Sequence, residues 1–266
     1  MKQSLAYIHP EARIAENVII DPFVTIEKNV EIGEGTWIGS NVVIMEGARI
    51  GKNCKIFPGA IISAIPQDLK FNGENTVAII GDNAIIREFV TINRGTKASY
   101  KTVVGNNCLI MAYVHIAHDC IVGNNSILAN NTTLAGHVEV CEYANLGGLV
   151  AVNQFVKIGA HCYISGGSLV RKDVPPYVKA AREPLSYVGV NSIGLRRHNF
   201  TNEQIEQIQE VYRYLYLRKL NISQALDYIE KELTASKERD EILLFVRNST
   251  RGVMRGYSSQ KTNGDY

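Results

Sequence analysis

His115 and His118 sit three residues apart in the stretch MAYVHIAHDCIV (111–122), and His118 is followed at once by an acid, Asp119. A third histidine, His137, follows beside Gly136 in LANNTTLAGHV (128–138). Two chemistries fit these residue types. A neutral imidazole near pKa 6.5 can take a proton from a hydroxyl. A carboxylate can fix its tautomer and stabilise the imidazolium, and a glycine N–H, unshielded by a side chain, can receive an oxyanion. That set serves acyl transfer. Three histidines and a water are instead a catalytic zinc set, so a zinc-dependent hydratase using His115, His118 and His137 is the alternative. An inert β-helical trimer serving as a scaffold is a third reading.

What positions these residues is a repeat. Every sixth residue from Ile8 to Val170 is Ile, Val or Leu, except Asp68, Glu74 and Ala98. Four residues after each aliphatic there is usually a small residue, such as Ala48, Cys54, Ala60 or Cys120. Gly and Asn are frequent in between, and are assigned to the positive φ of a turn. A period of six fits neither an α-helix nor simple strand alternation. It is the signature of a parallel β-helix built from hexapeptides. The aliphatics point inward, and three hexapeptides close one coil. The fold expected is therefore an all-β N-terminal parallel β-helix over 1–190, followed by a small α-helical domain over 191–256 and a disordered tail over 257–266.

Stacking turns sequence separation into proximity. Residues one coil apart lie over one another, about 5 Å apart by the strand spacing. His118, Gly136 and Gln154 then form one column, and Asp119, His137 and Phe155 the next. His118 lies two residues after an inward aliphatic, so it faces outward. No serine or cysteine stands beside it in these columns, which favours direct attack by the acceptor over a covalent acyl-enzyme.

The repeat breaks twice while keeping its register. AIPQDLKFNGENTVA (64–78) carries Gln67, Asp68 and Lys70, and RGTKASYKT (94–102) follows. Both read as loops projecting from the prism, where function often resides. The prism ends over 171–190, where Pro175, Pro176 and Pro184 cannot join a ladder. Thr201–Gln204 fits a capping box, and Ile205, Ile208, Val211, Tyr212 and Leu215 follow at helical spacing. Further helices are expected over 222–234 and 237–248. Four of the five cysteines fall on the small-residue position and read as buried free thiols. A net charge of only +2 gives no sign of a nucleic-acid partner. There is no apolar run long enough for a transmembrane segment, and the start lacks the apolar core of a signal peptide, so a cytoplasmic place is expected. The C-terminal part is mildly basic, which suits an acidic partner or phosphates, or simply a solvated surface.

HIAHDC, ANNTTLAGHV, PQDLKFNGE, VTINRGT and the late STRG together resemble the UDP-N-acetylglucosamine acyltransferases, the hexapeptide enzymes that open lipid A biosynthesis. The resemblance covers essentially the whole chain. It implies a left-handed β-helix in a homotrimer, in the cytoplasm of a Gram-negative bacterium, with active sites between subunits and no cofactor or metal. The implied reaction moves a 3-hydroxyacyl chain from acyl carrier protein to the 3-hydroxyl of the GlcNAc ring. His118 would be the general base, Asp119 would orient it, and the Gly136 N–H would stabilise the oxyanion. Gln67, Asp68 and Lys70 would hold the sugar nucleotide, with His115, His137 and Gln154 lining the site. Asn191 and Arg197 would reach the uridine diphosphate, and the basic helices would meet the carrier protein. Gly166 falls where side-chain size limits acyl length, and a glycine there implies a long chain. Four positions depart from the pattern. Asn93 and Asn153 stand where relatives often have His, Ile193 where Glu is common, and His198 where a second Arg is common.

Overall fold

The computed structural model describes residues 5–218 and 220–256. Each hexapeptide contributes one strand, mostly of two residues, and one corner of a triangular prism. Among the described residues, the strands stack into three sheets of nine, eight and eleven members. Tyr7 pairs with Thr25, Thr25 with Val43, and Val43 with Ile61, all in parallel and each one coil further on. The coil is left-handed. Ile26, Ile38, Ile44, Ile86 and Ile116 point inward and are fully buried. Burying an aliphatic side chain of this size stabilises by about 1.5–3 kcal/mol, so the stacked aliphatics form one continuous core. Cys54, Cys108, Cys120 and Cys162 are buried and free, as expected.

Gly and Asn divide the corner between them in a way the sequence does not separate. Asn29, Asn41, Asn53 and Asn83, each three residues after an inward aliphatic, take the positive φ. The glycines placed directly after the aliphatic do not. At Gly33, a Cβ would lie 2.7 Å from the Gly51 carbonyl carbon of the next coil. Size, not φ, selects glycine there.

Both interruptions are absorbed as whole hexapeptides. Ile61 pairs with Thr91, across the first loop, and Val77 pairs with Lys101, across the second. The columns beyond the loops therefore keep their alignment. Past Val170 the chain does one thing the prolines conceal. Val178–Ala181 and Ser186–Val190 form an antiparallel hairpin on the third sheet. Pro175, Pro176 and Pro184 lie outside its strands, where no ladder donor is missed. Among the described residues, four short helices follow: α1 (Ser192–Arg197), α2 (Asn202–Tyr212), α3 (Ile222–Glu232) and α4 (Lys237–Arg247). The Thr201/Gln204 capping box is present, and a π-helical turn, Arg213–Leu217, continues α2. The Tyr212 hydroxyl donates to the Pro176 carbonyl, and the Tyr177 hydroxyl to Glu241 on α4, both at 2.5 Å. Among the described residues, no helix is long and apolar enough to cross a membrane. The tail expected over 257–266 lies outside the described residues.

Candidate active site

The corner that follows strands His115–Ile116 and Thr133–Leu134 holds the site. Those strands pair in parallel, His115 opposite Thr133. The His137 N–H donates to the His118 carbonyl at 3.0 Å, and the Phe155 N–H to the Gly136 carbonyl at 3.2 Å. Both expected columns are therefore real. A Cβ on Gly136 would lie 2.6 Å from His118 Cε1, 2.7 Å from His118 Nε2 and 3.3 Å from Gln154 Nε2. In the neighbouring column the His137 ring stacks on Phe155 and meets the edge of His118, with centroids 4.6 and 5.1 Å apart.

His118 Nδ1 is 2.7 Å from Asp119 Oδ2, and both residues are buried. Burial alone would raise the Asp119 carboxyl. Hydrogen bonds from Ser99, Thr96 and His118 overturn that and bring it down to about 2. An ionised carboxylate can only accept, so Nδ1 of His118 carries a ring proton, and in the neutral ring Nε2 keeps the lone pair. That lone pair is on the side of Gly136, whose N–H has no acceptor among the described residues. Burial pushes His137 down, partly opposed by Asp119, and pushes His115 down as well.

A cleft of about 390 Å³ opens over this corner. His118, Gly136, Gln154, Ala117 and Ala135 line it from the prism, and Asn93 from the coil before. Gln67, Asp68 and Lys70 close it from the first loop. Asp68 accepts the Lys70 N–H at 3.0 Å, and the Phe71 N–H donates to its carbonyl, making a tight turn. The Arg94 guanidinium lies 5.4 Å from the Phe71 ring centroid and fastens that loop to the prism.

Other candidates stand elsewhere. His115 does not line the cleft; its Nδ1 is 2.8 Å from the Thr91 hydroxyl on the strand face. Asn191 caps α1, accepting the Gly194 N–H while its amide donates to the His161 carbonyl at 2.9 Å. Arg197 is exposed in the last turn of α1. Gly166 occupies the neighbouring corner, where a Cβ would meet the Gly148 carbonyl oxygen at 3.0 Å. None of these three lines the cleft of its own chain. Among the departures, His198 bonds His161 through their Nδ1 atoms at 3.0 Å, Ile193 is exposed, and Asn153 is exposed beside Gln154.

The site contains residues that spacing alone does not reveal. Thr96, Ser99 and Thr102, from the second loop and the strand after it, all bond Asp119. The loop's fixed register was visible, but nothing periodic in it marks which side chains turn inward.

The zinc reading is not supported. The three histidines do not converge. Among the described residues, the group whose ligand atoms lie within 4.8 Å of one another is His118, Asp119 and His137. Its carboxylate already accepts hydrogen bonds at both oxygens, and its imidazoles are separated by the ring-edge packing described above.

The chain matches the model of a UDP N-acetylglucosamine O-acyltransferase second domain over residues 173–254, and a bacterial transferase hexapeptide model over 101–136. It is 40% identical to the acyl-[acyl-carrier-protein]--UDP-N-acetylglucosamine O-acyltransferase of Stenotrophomonas maltophilia over 94% of this chain and 96% of that one. The enzyme of the same description from Myxococcus xanthus is 46% identical over 73% of this chain and 76% of its own. Among solved structures, the UDP-N-acetylglucosamine acyltransferase of Bacteroides fragilis superposes with a TM-score of 0.94 at 52% identity, covering 96% of this chain and all of that one. The Francisella novicida enzyme gives 0.93 at 42%, covering 96% and 94%.

Proposed function

The chain belongs to the acyl-[acyl-carrier-protein]--UDP-N-acetylglucosamine O-acyltransferases, and on that premise we propose how this corner moves a 3-hydroxyacyl chain onto the sugar. The acceptor is the 3-hydroxyl of the GlcNAc ring. His118 Nε2 removes its proton as the oxygen attacks the thioester carbonyl carbon. The carbonyl electrons move onto oxygen, and the Gly136 N–H receives that oxyanion. The C–O bond is kept, the C–S bond breaks, and the imidazolium returns its proton to the departing thiolate of the carrier protein's prosthetic arm. Asp119 stabilises the imidazolium without itself taking the proton. No covalent enzyme intermediate is needed.

One observation carries this reading. His118 Nε2 and the Gly136 backbone face each other with no side chain between, while an ionised Asp119 holds the opposite ring nitrogen. Asp68, Lys70 and Gln67 take the sugar nucleotide where they close the cleft with Gln154; His137 does not line the cleft of its own chain, and its Nε2 is 3.7 Å from Asp119 Oδ2. His115 offers only its Nε2, since Thr91 occupies the other nitrogen. Asn191, Arg197 and Gly166 lie away from the cleft of their own chain. In a homotrimer with sites between subunits, a neighbouring copy brings the first two to the diphosphate and the third to the acyl chain. The reaction is then the first acylation of lipid A biosynthesis, carried out in the cytoplasm.

The test is transfer from a ladder of 3-hydroxyacyl carrier proteins to UDP-GlcNAc by wild type and His118→Ala. Loss of the general base lowers kcat by about 10²–10⁴-fold. A His118→Ala enzyme with wild-type kcat refutes the base, and no transfer by wild type from any donor refutes the substrate assignment.

A further inference from the structure

Asp119 is gripped by a loop that lies outside the hexapeptide pattern. Its Oδ2 accepts the Thr96 hydroxyl at 2.7 Å together with His118 Nδ1. Its Oδ1 accepts the Thr96 N–H at 3.0 Å and the Ser99 N–H at 3.3 Å, and lies against the Ser99 hydroxyl. The Ser99 hydroxyl also stands 2.9 Å from the Lys101 carbonyl. It has one proton to give, and the charged acceptor makes the stronger bond. The Thr96 oxygen in turn accepts the Ala98 N–H at 3.2 Å, which fixes how its own proton points. The Asp119 N–H donates to the Thr102 hydroxyl at 2.9 Å, so the residue is pinned at its backbone too.

We propose that Thr96 and Ser99 are positioning residues of the transfer reaction, which act through Asp119 to fix the tautomer and aim of the His118 ring. The inference rests on His118 being the base. The two hydroxyls are not needed to close the loop. Backbone bonds do that: Tyr100 N–H to the Thr96 carbonyl at 2.7 Å, Gly95 N–H to the Val77 carbonyl at 3.2 Å, and Val77 N–H to the Tyr100 carbonyl at 3.0 Å. Gly95 makes the closure possible, since a Cβ there would fall 2.3 Å from the Lys101 nitrogen. Nor does a corner of this prism need such a grip. The equivalent corner residue Asn107 is exposed, whereas Asp119 is 6% exposed. The extra donors answer to the buried charge.

Hydrogen bonds to Asp119 do two things. They hold its Oδ2 in line with Nδ1, and they draw charge from the carboxylate so that it does not retain the ring proton too tightly. The other charged and titratable groups around it are the buried thiol of Cys120, His137, with Nε2 at 3.7 Å from Oδ2, and Asp68 and Lys70 at the mouth of the cleft. Those remain when the hydroxyls are removed.

The experiment compares wild type, Thr96→Val, Ser99→Ala, the double variant and Thr96→Ser, with His118→Ala alongside. It reads kcat and KM for UDP-GlcNAc, the pH profile of kcat/KM, and the thermal midpoint. Each lost hydroxyl should lower kcat about tenfold with KM unchanged, a loss of about 1.4 kcal/mol and close to that of a hydrogen bond to a charged group. Thr96→Ser should recover most of the rate. The acid limb of kcat/KM should move to higher pH, because a carboxylate relieved of a donor pulls harder on the Nδ1 proton. A rate that falls only in step with the thermal midpoint, with an unmoved pH profile, overturns the proposal. So does a rise in KM at constant kcat. If His118→Ala is inactive while Thr96→Val and Ser99→Ala behave as wild type, the base stands and the clamp falls. If His118→Ala keeps its rate, both fall.

Discussion

Replacing Gly136 by alanine should silence the enzyme while leaving its fold nearly untouched. The added Cβ would lie 2.6 Å from His118 Cε1 and 2.7 Å from Nε2, where ordinary contact begins at 3.4 Å. The ring must therefore retreat by about 0.7 Å from Nε2 alone to make room. It cannot do so freely, because Nδ1 already stands 2.7 Å from Asp119, near the short end of a hydrogen bond. The ring tilts or the bond breaks, and the methyl group also enters the space the acyl carbon must reach. A misplacement of about 1 Å costs on the order of 10²-fold in rate. Stability should drop by about 1 kcal/mol at most, the worth of one hydrogen bond, since Gly136 is not among the glycines at positive φ. Gly123→Ala supplies the contrast. There the Cβ meets backbone, the Glu142 nitrogen at 2.5 Å and the Cys141 carbonyl carbon at 2.8 Å, so the coils must part. The assay pairs kcat with urea unfolding for both variants. Gly136→Ala within about threefold of wild-type kcat would refute the placement of the reacting atoms, as would a stability loss equal to that of Gly123→Ala.

Two further outcomes follow from the same geometry. Ile116→Ala, which empties a fully buried position between Ile92 and Leu134 in the coil that carries His118, should cost about 2–5 kcal/mol, read as a shift in the urea midpoint. Acid should destabilise the fold in two windows. Burial, then the nearby His198 and Lys237, push His161 down to about 4 from an ordinary 6.5. Between those values the unfolded chain binds a proton that the native state refuses, so stability falls as pH drops from 6.5 towards 4, by about 3 kcal/mol in all. His161→Phe, stacked between Tyr143 and Tyr177, should flatten that slope. Asp119 is ionised in the native state down to about pH 2. Its contribution, about 2 kcal/mol, is present above 3.8 and lost as pH falls through 2. Unfolding free energies across this range, compared with those of Asp119→Asn, check the second window.

The period of six made the prism and its columns legible, because stacking admits only one alignment when the insertions are whole hexapeptides. That is why His118, Gly136 and Gln154 could be placed together from spacing alone. The same logic does not reach His115. Three residues along this chain is a change of face, from the corner to the strand, where its Nδ1 stands against Thr91. Asp68 and Lys70 could be named as loop residues, yet only the folded loop, tied down through Phe71 and Arg94, brings them over the cleft. Thr96 and Ser99 left no trace in the pattern, since a loop without repeat gives no rule for where its hydroxyls point. The hairpin Val178–Ala181 with Ser186–Val190 was hidden by prolines that in fact sit between and before its strands. Helix α1, at six residues, is too short for periodicity to register.

The corner position three residues after each inward aliphatic sets Asp119 apart from the architecture around it. Most of these corners need a left-handed backbone, which Asn tolerates and most side chains do not, at about 1–2 kcal/mol each. Where large rings occupy it most come in stacks, Phe89 on Tyr113 and Tyr143 on His161 on Tyr177, with Phe23 exposed outside any stack. Each such contact is worth about 0.5–1.5 kcal/mol and offsets much of the strain. Asp119 shares the backbone, with φ of 59°, but stacks on nothing and is buried. Its cost is not strain but a desolvated charge, which is several kcal/mol unless donors surround it. An Asn at this corner would keep the turn and need no clamp. The chain instead keeps the carboxylate and spends a separate loop, with two hydroxyls and two backbone N–H groups, on holding it ionised against His118. The ionised carboxylate adds about 2 kcal/mol above pH 3.8, but only against a desolvation cost that an Asn would not incur. That excess of structure fits the proposed task of orienting the His118 imidazole.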